Sequence, residues 1–388
     1  MVRTIPFRHP IDSLFKWRTK LSLNNRPSGR TGADPNASKL VPQRQTKHAG
    51  LRKLLLSPLE FPDHEWGWYY PAVRALAHMI RMENFSLILS TAPPWTSHLV
   101  ARRIKKESRI PWIADFRDSW TSDTWYGVPR WHKYFARKLE AGCVSDADLV
   151  LCVTNGIRRQ FLQRFPKLDS SKFVTLTNGF DALSTSTRKT ARNKPLICLH
   201  LGELYAGRRV DTLCCAVQDL VRREKLETGE VKFLFVGPSD PEIVEAASHI
   251  APELIQTRTV EFRPRVSFEE GQRLLNSADV LLVVQGNHGG VSAKFFEYLQ
   301  TGKPVFAITR EGDLTQIISD TKCGVWARYD DPVEIADKLL VALNLPDRSA
   351  EEVERVAGNY HFRSLAQRLA GMIETVTNNS AVDRLSRS

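Results

Sequence analysis

Two stretches of the chain carry the residue types that hold a phosphate. Gly202-Glu203-Leu204-Tyr205-Ala206-Gly207-Arg208-Arg209 follows a short β-rich run and precedes a helical pattern. Glycines such as Gly202 let a backbone approach a ligand closely, and a helix start presents N–H groups without intrahelical partners. Arg208 and Arg209 add permanent charge suited to a diphosphate. The second stretch, Gly286 to Glu297, is a glycine-rich loop that includes His288 and Gly290 and runs into a helix carrying Ser292, Lys294 and Glu297. Lys294 and Glu297 stand three apart and share a helix face. An ammonium there suits phosphate, and a carboxylate one turn on suits a ribose diol. Each stretch also has a plainer reading: a strand-to-helix turn with solvent-facing arginines, and a capped helix with a surface ion pair.

Other residues invite weaker readings. Asp146-Ala147-Asp148 spells a DxD metal signature, but it joins a helical pattern to a strand, as Ser277-Ala278-Asp279 does later. Both read as structural turns, so no metal is expected. His98 follows Thr96 and Ser97 at a helix start, where a capping or core role outweighs contact with an acceptor. His288 reads as a solvated loop residue ahead of a donor contact. Trp66, Trp68, Tyr69 and Tyr70 suit either stacking on sugar or lipid, or a core or lid patch.

The elements that must position these residues follow from periodicity. Strands are expected at Phe85–Ser90, Pro111–Asp115, Asp148–Val153 and Phe173–Thr177, with helices at Thr96–Lys106 and Arg130–Ser145. A polar stretch, residues 183–194, then reads as a linker. The alternation restarts at Pro195–Leu201 and continues through Val231–Val236, Thr259–Phe262, Val280–Val284, Pro304–Ile308 and Cys323–Ala327, with helical patterns between them. A last helix is expected near Arg363–Thr377. Such alternation predicts an α/β fold with two doubly wound domains whose strand ends face a cleft. The expected division is a leader at 1–50, a first domain at 51–182, the linker at 183–194, a second domain at 195–362, and a terminal helix and tail at 363–388. The first domain shows few strands and is expected to be incomplete.

Composition narrows the class. The 388 residues suffice for two or three domains. No apolar run approaches the ~20 residues of a membrane span. The six cysteines lack metal-ligand spacing and read as reduced core thiols, hence a cytoplasmic setting. The formal charge is +12, and the first 60 residues account for +9 of it. That basic arm reads as a solvated leader, as an attractant for the inner face of an anionic membrane, or, least favoured, as a nucleic-acid contact. No nucleic-acid partner is expected.

Several strings together resemble GT-B glycosyltransferases, in particular glycosyltransferase family 4 in a bacterial polysaccharide-assembly branch. They are Ser292–Ala307 (SAKFFEYLQTGKPVFA), Asn178-Gly179-Phe180-Asp181, Ile113–Trp120 (IADFRDSW), Ser90–His98 (STAPPWTSH) and Pro62–Ala72 (PDHEWGWYYPA). The resemblance covers residues 60–375. It implies two Rossmann-like domains, a nucleotide-diphospho-sugar donor held by the C-terminal one, and a saccharide or lipid-linked acceptor held by the N-terminal one. It implies a hexosyl transfer in surface polysaccharide synthesis with retained configuration. Arg208 or Arg209, with Lys294, would hold the diphosphate and Glu297 the ribose. Arg117 takes the place where family members often carry a histidine, so Arg117 and Asp118 would lie near the transferred sugar as catalytic residues. With Asp115 they read alternatively as an ion-pair network that shapes the loop.

The chain departs from the family twice. The family's E-x7-E pattern would place its first glutamate at residue 289, which is Gly289. A sugar-hydroxyl contact is therefore missing or supplied elsewhere. Residues 1–50 also show no pattern of the opening strand, glycine-rich loop and helix, so the expectation is that the basic leader replaced that unit or that the chain lacks it. The open alternatives are a nucleotide-sugar 2-epimerase-like isomerase and an inactive or partner-dependent GT-B protein.

Overall fold

The structure is a computed structural model and describes residues 61–121, 130–181, 194–205, 207–227, 229–286 and 290–385. The basic leader at 1–50, nearly all of the expected linker and His288 lie outside these residues. The chain divides into two compact units, Met1–Leu151 with Val376–Ser388, and Cys152–Thr375.

The first elements are α1 (Tyr69–Met82), β1 (Ile88–Ala92), α2 (Thr96–Ser108), β2 (Trp112–Phe116), α3 (Arg130–Asp146), β3 (Leu149–Cys152), α4 (Asn155–Arg164) and β4 (Phe173–Thr175). Their strands form a sheet in the order β1-β2-β3-β4. β1 and β2 run parallel, with Ile88 opposite Trp112. Two helices here escaped the periodicity. Pro71 sits in the first turn of α1, where its missing N–H costs nothing, so the aromatic run hides a helix start. α4 opens on Asn155-Gly156, a weak start by propensity. Thr154 accepts from Ile157 N at 3.2 Å, and the Asp313 carboxylate takes the Gly156 N–H at 2.8 and 2.9 Å. That carboxylate lies 157 positions along the chain, so no local pattern could announce it.

The remaining elements are β5 (Leu196–Leu201), α5 (Asp211–Arg222), β6 (Val231–Val236), α6 (Pro241–Ile250), α7 (Pro252–Gln256), β7 (Val260–Arg263), α8 (Phe268–Ser277), β8 (Val280–Gly286), α9 (Ala293–Leu299), β9 (Val305–Thr309), α10 (Asp313–Thr321), β10 (Gly324–Arg328), α11 (Pro332–Asn344), α12 (Ala350–Ala357) and α13 (Phe362–Leu385). Six strands make a parallel sheet in the order β10-β9-β8-β5-β6-β7. Side chains alternate across it with period 2. In β6, Phe233 and Phe235 enter one core with Leu213, Val217 and Leu339, while Leu234 and Val236 enter the other with Phe295, Phe296 and Leu299. Both faces are covered, which is why these strands read as continuous apolar runs.

β5 and β8 are neighbours in the sheet although β6 and β7 separate them in sequence. From β5 the chain moves to one side, and from β8 to the other. Their carboxyl ends therefore border a crevice at a topological switch point.

The Ala-Asp turns before β3 and β8 share one device. Asp148 Oδ2 accepts the Trp112 N–H at the start of β2 at 2.6 Å. Asp279 Oδ2 accepts the Ile197 N–H of β5 at 2.9 Å and is buried. Each carboxylate satisfies a backbone donor that the neighbouring strand leaves open. Asp146 is held by Arg102 at 2.5 Å and Lys106 at 3.1 Å, and Asp148 also pairs with Lys105. The DxD string is thus engaged in the fold. Replacing Asp279 by Ala should cost about 1–3 kcal/mol, the penalty of stranding a buried N–H. Asp279→Asn, which keeps an acceptor, should recover most of it. Urea unfolding midpoints of the three proteins check this.

Candidate functional site

The crevice between β5 and β8 is built from backbone first. The loop after β5 is tied to β6: Gly202 N donates to Val236 O at 2.9 Å and Leu204 N to Pro238 O at 2.9 Å. The buried Tyr298 hydroxyl accepts the Leu201 N–H at 2.8 Å. Two glycines hold the loop from either side. Gly237 has φ 141°, and a Cβ there would fall 2.2 Å from Gly202 O. Gly286 has φ 56°, and a Cβ there would fall 2.1 Å from Gly207 O. Only glycine allows both the conformation and the approach. Gly237 was not singled out in the sequence, because a glycine ending a strand is common and its partner is distant.

Two hollows open on this loop. One, of about 350 Å³, is lined by His200, Arg208, Gln285, Ser292 and Lys294. The other, of about 300 Å³, is lined by Gly237, Ser267, Gln272 and Glu297. Gly202, Glu203, Arg265 and Lys294 border both. A methyl placed on Gly202 would stand 3.2 Å from His200 Nε2 and 3.5 Å from Lys294 Nζ, so these groups converge over that glycine.

The charges are poised for an anion. The Arg208 guanidinium lies over the Tyr205 ring at 4.3 Å and reaches Glu203 O at 3.4 Å. Arg265 pairs with Glu203 at 2.7 Å. Among the described residues neither Arg208 nor Lys294 is paired with a carboxylate. In particular, Lys294 and Glu297 form no surface ion pair. Partial burial lowers the Lys294 ammonium below the usual lysine range; Glu297 and Glu203 oppose this, and Arg265 and Arg208 add to it. An incoming anion would relieve that strain.

The neighbouring candidates fall differently. Arg209 is exposed, gives its Nε and Nη2 to Asp211 at 2.9 and 2.6 Å, and lines neither hollow. Of the arginine pair, Arg208 is the one that faces the crevice. Gly290 is exposed and its carbonyl accepts from the Gln285 amide.

In the other unit, Arg117 and Asp118 follow the carboxyl end of β2. Arg117 N donates to Ala92 O at 2.9 Å, and its guanidinium lies 3.7 Å from Asp115. Burial raises the Asp115 carboxyl, with Arg117 and Thr91 acting against it. Asp118 is exposed. The loop contains an Arg117–Asp115 ion pair, and partial burial raises the Asp118 carboxyl while Arg117 acts against it. Trp66, Tyr69 and Tyr70 border a cavity of about 490 Å³ that Arg102, Arg103 and Lys106 also line. Those cations are paired with Asp146 and Glu107.

His98 is a core residue and not an acceptor contact. It is fully buried against Phe116, Trp112 and Trp95, with Nδ1 on the Ser90 hydroxyl at 2.8 Å. Ser90 also accepts from the Trp112 indole at 2.8 Å, which leaves its proton for His98. His200 and Gln285 were not singled out in the sequence. A histidine inside an apolar strand reads as core, and only the sheet order brings it beside Lys294.

Comparisons with known proteins follow this architecture. Residues 195–344 match the family described as glycosyl transferases group 1, and residues 29–179 match the glycosyl transferase 4-like domain. The chain is a GT-B, family 4-like glycosyltransferase. No curated protein matches it in sequence. Solved structures with a similar fold include sucrose-phosphate synthase from Thermosynechococcus elongatus, at 17% identity and TM-score 0.60 over 83% of this chain and 82% of that one. Another is HepE from Anabaena in complex with UDP, at 15% identity and TM-score 0.60 over 83% and 89%. A third is the lipopolysaccharide outer core galactosyltransferase WaaB in its apo form, at 16% identity and TM-score 0.55 over 81% and 80%. At these identities the likeness is one of fold. Among the described residues no helix of this glycosyltransferase is long and apolar enough to cross a membrane.

Two outcomes test the geometry. Gly237→Ala should displace the Gly202 carbonyl, lower the urea midpoint and weaken nucleotide binding together, both measurable on one preparation. The pH dependence of folding should carry the two buried histidines. Burial lowers His98 from 6.5 to about 3 and His200 to about 4, so both stay neutral in the folded chain where the unfolded chain takes protons. Stability then rises with pH between about 4 and 6.5 and is lost as acid is added, by about 1.4 kcal/mol per pH unit for each histidine. Urea titrations at pH 7, 6 and 5 should show this slope, and His98→Gln should reduce it.

Proposed function

We propose that this glycosyltransferase moves a hexosyl group from a nucleotide-diphospho-sugar to a saccharide or lipid-linked acceptor in surface polysaccharide synthesis. The observation that supports this best is the pair of unneutralised cations, Arg208 and Lys294, lining one hollow with Gly202, and Glu297 on the adjoining hollow. A diphosphate at the shared border would be held by Arg208, Lys294 and Arg265. Glu297 would accept hydrogen bonds from the ribose hydroxyls.

Transfer breaks the bond between the anomeric carbon and the diphosphate oxygen and forms one to an acceptor oxygen. The sugar passes through an oxocarbenium-like state, and negative charge grows on the leaving diphosphate. Two cations in a hollow where Lys294 is partly buried stabilise that charge more than they stabilise the intact donor. On this reading the reaction needs no metal, since the protein's own cations meet the leaving group. Arg117 and Asp118 are assigned the catalytic roles on the acceptor side. Retention of configuration follows the family. The setting we propose is cytoplasmic, with the basic N-terminus drawing the chain to an anionic membrane face.

A thermal-shift screen against UDP-, GDP-, ADP- and dTDP-sugars, with and without EDTA, identifies the donor, because a ligand that binds only the folded state raises its melting temperature. With that donor, Lys294→Ala should lower kcat about 100-fold or more, in line with the loss of one transition-state charge contact. A folded Lys294→Ala protein that turns over at near the parent rate would remove Lys294 from the reaction.

A further inference from the structure

Two buried groups beside the cations have lone pairs and nothing to accept. His200 is 6% exposed and Gln285 is 3% exposed, and both line the 350 Å³ hollow. His200 Nδ1 lies 3.1 Å from Leu282 O. A carbonyl only accepts, so Nδ1 carries the proton and Nε2 is an acceptor. Gln285 must turn its NH₂ to the Gly290 carbonyl for the same reason, which leaves Oε1 as an acceptor. Among the described residues, neither His200 Nε2 nor Gln285 Oε1 has a hydrogen-bond partner. Two unmet acceptors in one hollow are costly and need an explanation.

The chemistry of the missing partner is restricted. A diphosphate offers only acceptors and cannot satisfy either group. A ligand part rich in hydroxyls can. The ribose is accounted for on the other hollow, where Glu297 lies, and the two hollows meet at Gly202, Arg265 and Lys294. A diphosphate at that border sends the nucleoside to the Glu297 side and whatever it carries to the His200 side. The family's first glutamate is absent here, residue 289 being glycine, and Glu203, the carboxylate on this hollow, is paired with Arg265.

We propose that the hollow lined by His200 and Gln285 is the subsite for the transferred sugar, and that His200 Nε2 and Gln285 Oε1 accept hydrogen bonds from its hydroxyls in place of the missing glutamate. This rests on the donor reading above and adds to it the residues that choose the sugar. Loss of a hydrogen bond to a built polar site discriminates strongly between sugars that differ by one hydroxyl.

Calorimetry on the full chain tests it with UDP, GDP, ADP and dTDP and with their glucose, galactose, N-acetylglucosamine and mannose conjugates. For the nucleotide that binds, one conjugate should bind more tightly than the bare diphosphate. His200→Phe and Gln285→Met should each weaken that conjugate about tenfold or more while leaving the bare diphosphate within about twofold. His200→Gln, which keeps an acceptor near Nε2, should recover part of the loss. Deoxy analogues of the preferred conjugate, used on the parent protein, should lose about tenfold at one or two positions, and those positions should lose little more in the variants. The analogue series stands by itself if a variant fails to fold. Equal weakening of diphosphate and conjugate, no change in either, no preference for any conjugate, or no deoxy position that matters would overturn the assignment. Binding of none of the diphosphates would instead remove the donor reading on which it rests.

Discussion

The adjacency of β5 and β8 is the constraint on which the rest of the C-terminal site depends. Parallel strands joined by crossovers send their loops away from each other only where the winding reverses, and here that point brings the Gly202 loop beside the end of β8 and Lys294 of α9. The packing that enforces it is apolar and two-sided: β6 alone feeds both cores. Burial of this kind is non-directional, so the direction comes from backbone contacts. Gly237 against Gly202 O and Gly286 against Gly207 O set the loop's height over the sheet to within the size of a methyl group.

Electrostatics then act on a surface whose shape is already set. Arg209 spends its charge on Asp211, and Arg265 spends part of its own on Glu203. Arg208 stacks on Tyr205 and keeps its charge toward the hollow, while Lys294 is held below its ordinary proton affinity by partial burial. Pre-set cations of this sort stabilise charge that builds on a leaving group without reorganising as it builds.

The N-terminal unit uses several polar groups to support its fold. His98, Ser90 and Trp112 form a buried chain of hydrogen bonds beneath Phe116. Asp146 and Asp148 tie α2 and β2 to the turn before β3. Asp148 and Asp279 show that the same two letters, Ala-Asp before a strand, solve the same problem in both sheets. That correspondence explains why a motif with a metal-binding spelling is occupied by backbone and lysine.

What the chain determined by itself was most of the sequence of elements, with α1 and α4 among the exceptions, and the family of the crevice. Apolar runs of strand length, glycines after them and a Lys-x-x-Glu helix are local signals, and each depends on residues within one or two turns. The glycosyltransferase resemblance rested on such strings. Tertiary structure decided which polar groups share a space. Arg208 and Arg209 are adjacent in sequence, yet an Asp211 carboxylate on α5 claims the second and leaves the first. His98 and His200 both look like histidines in apolar company. One meets Ser90 and a wall of aromatic rings, and the other meets Lys294, because β8 lies beside β5 and carries α9 with it. A side chain's partner is a property of the packed sheet order, and no window along the chain contains it.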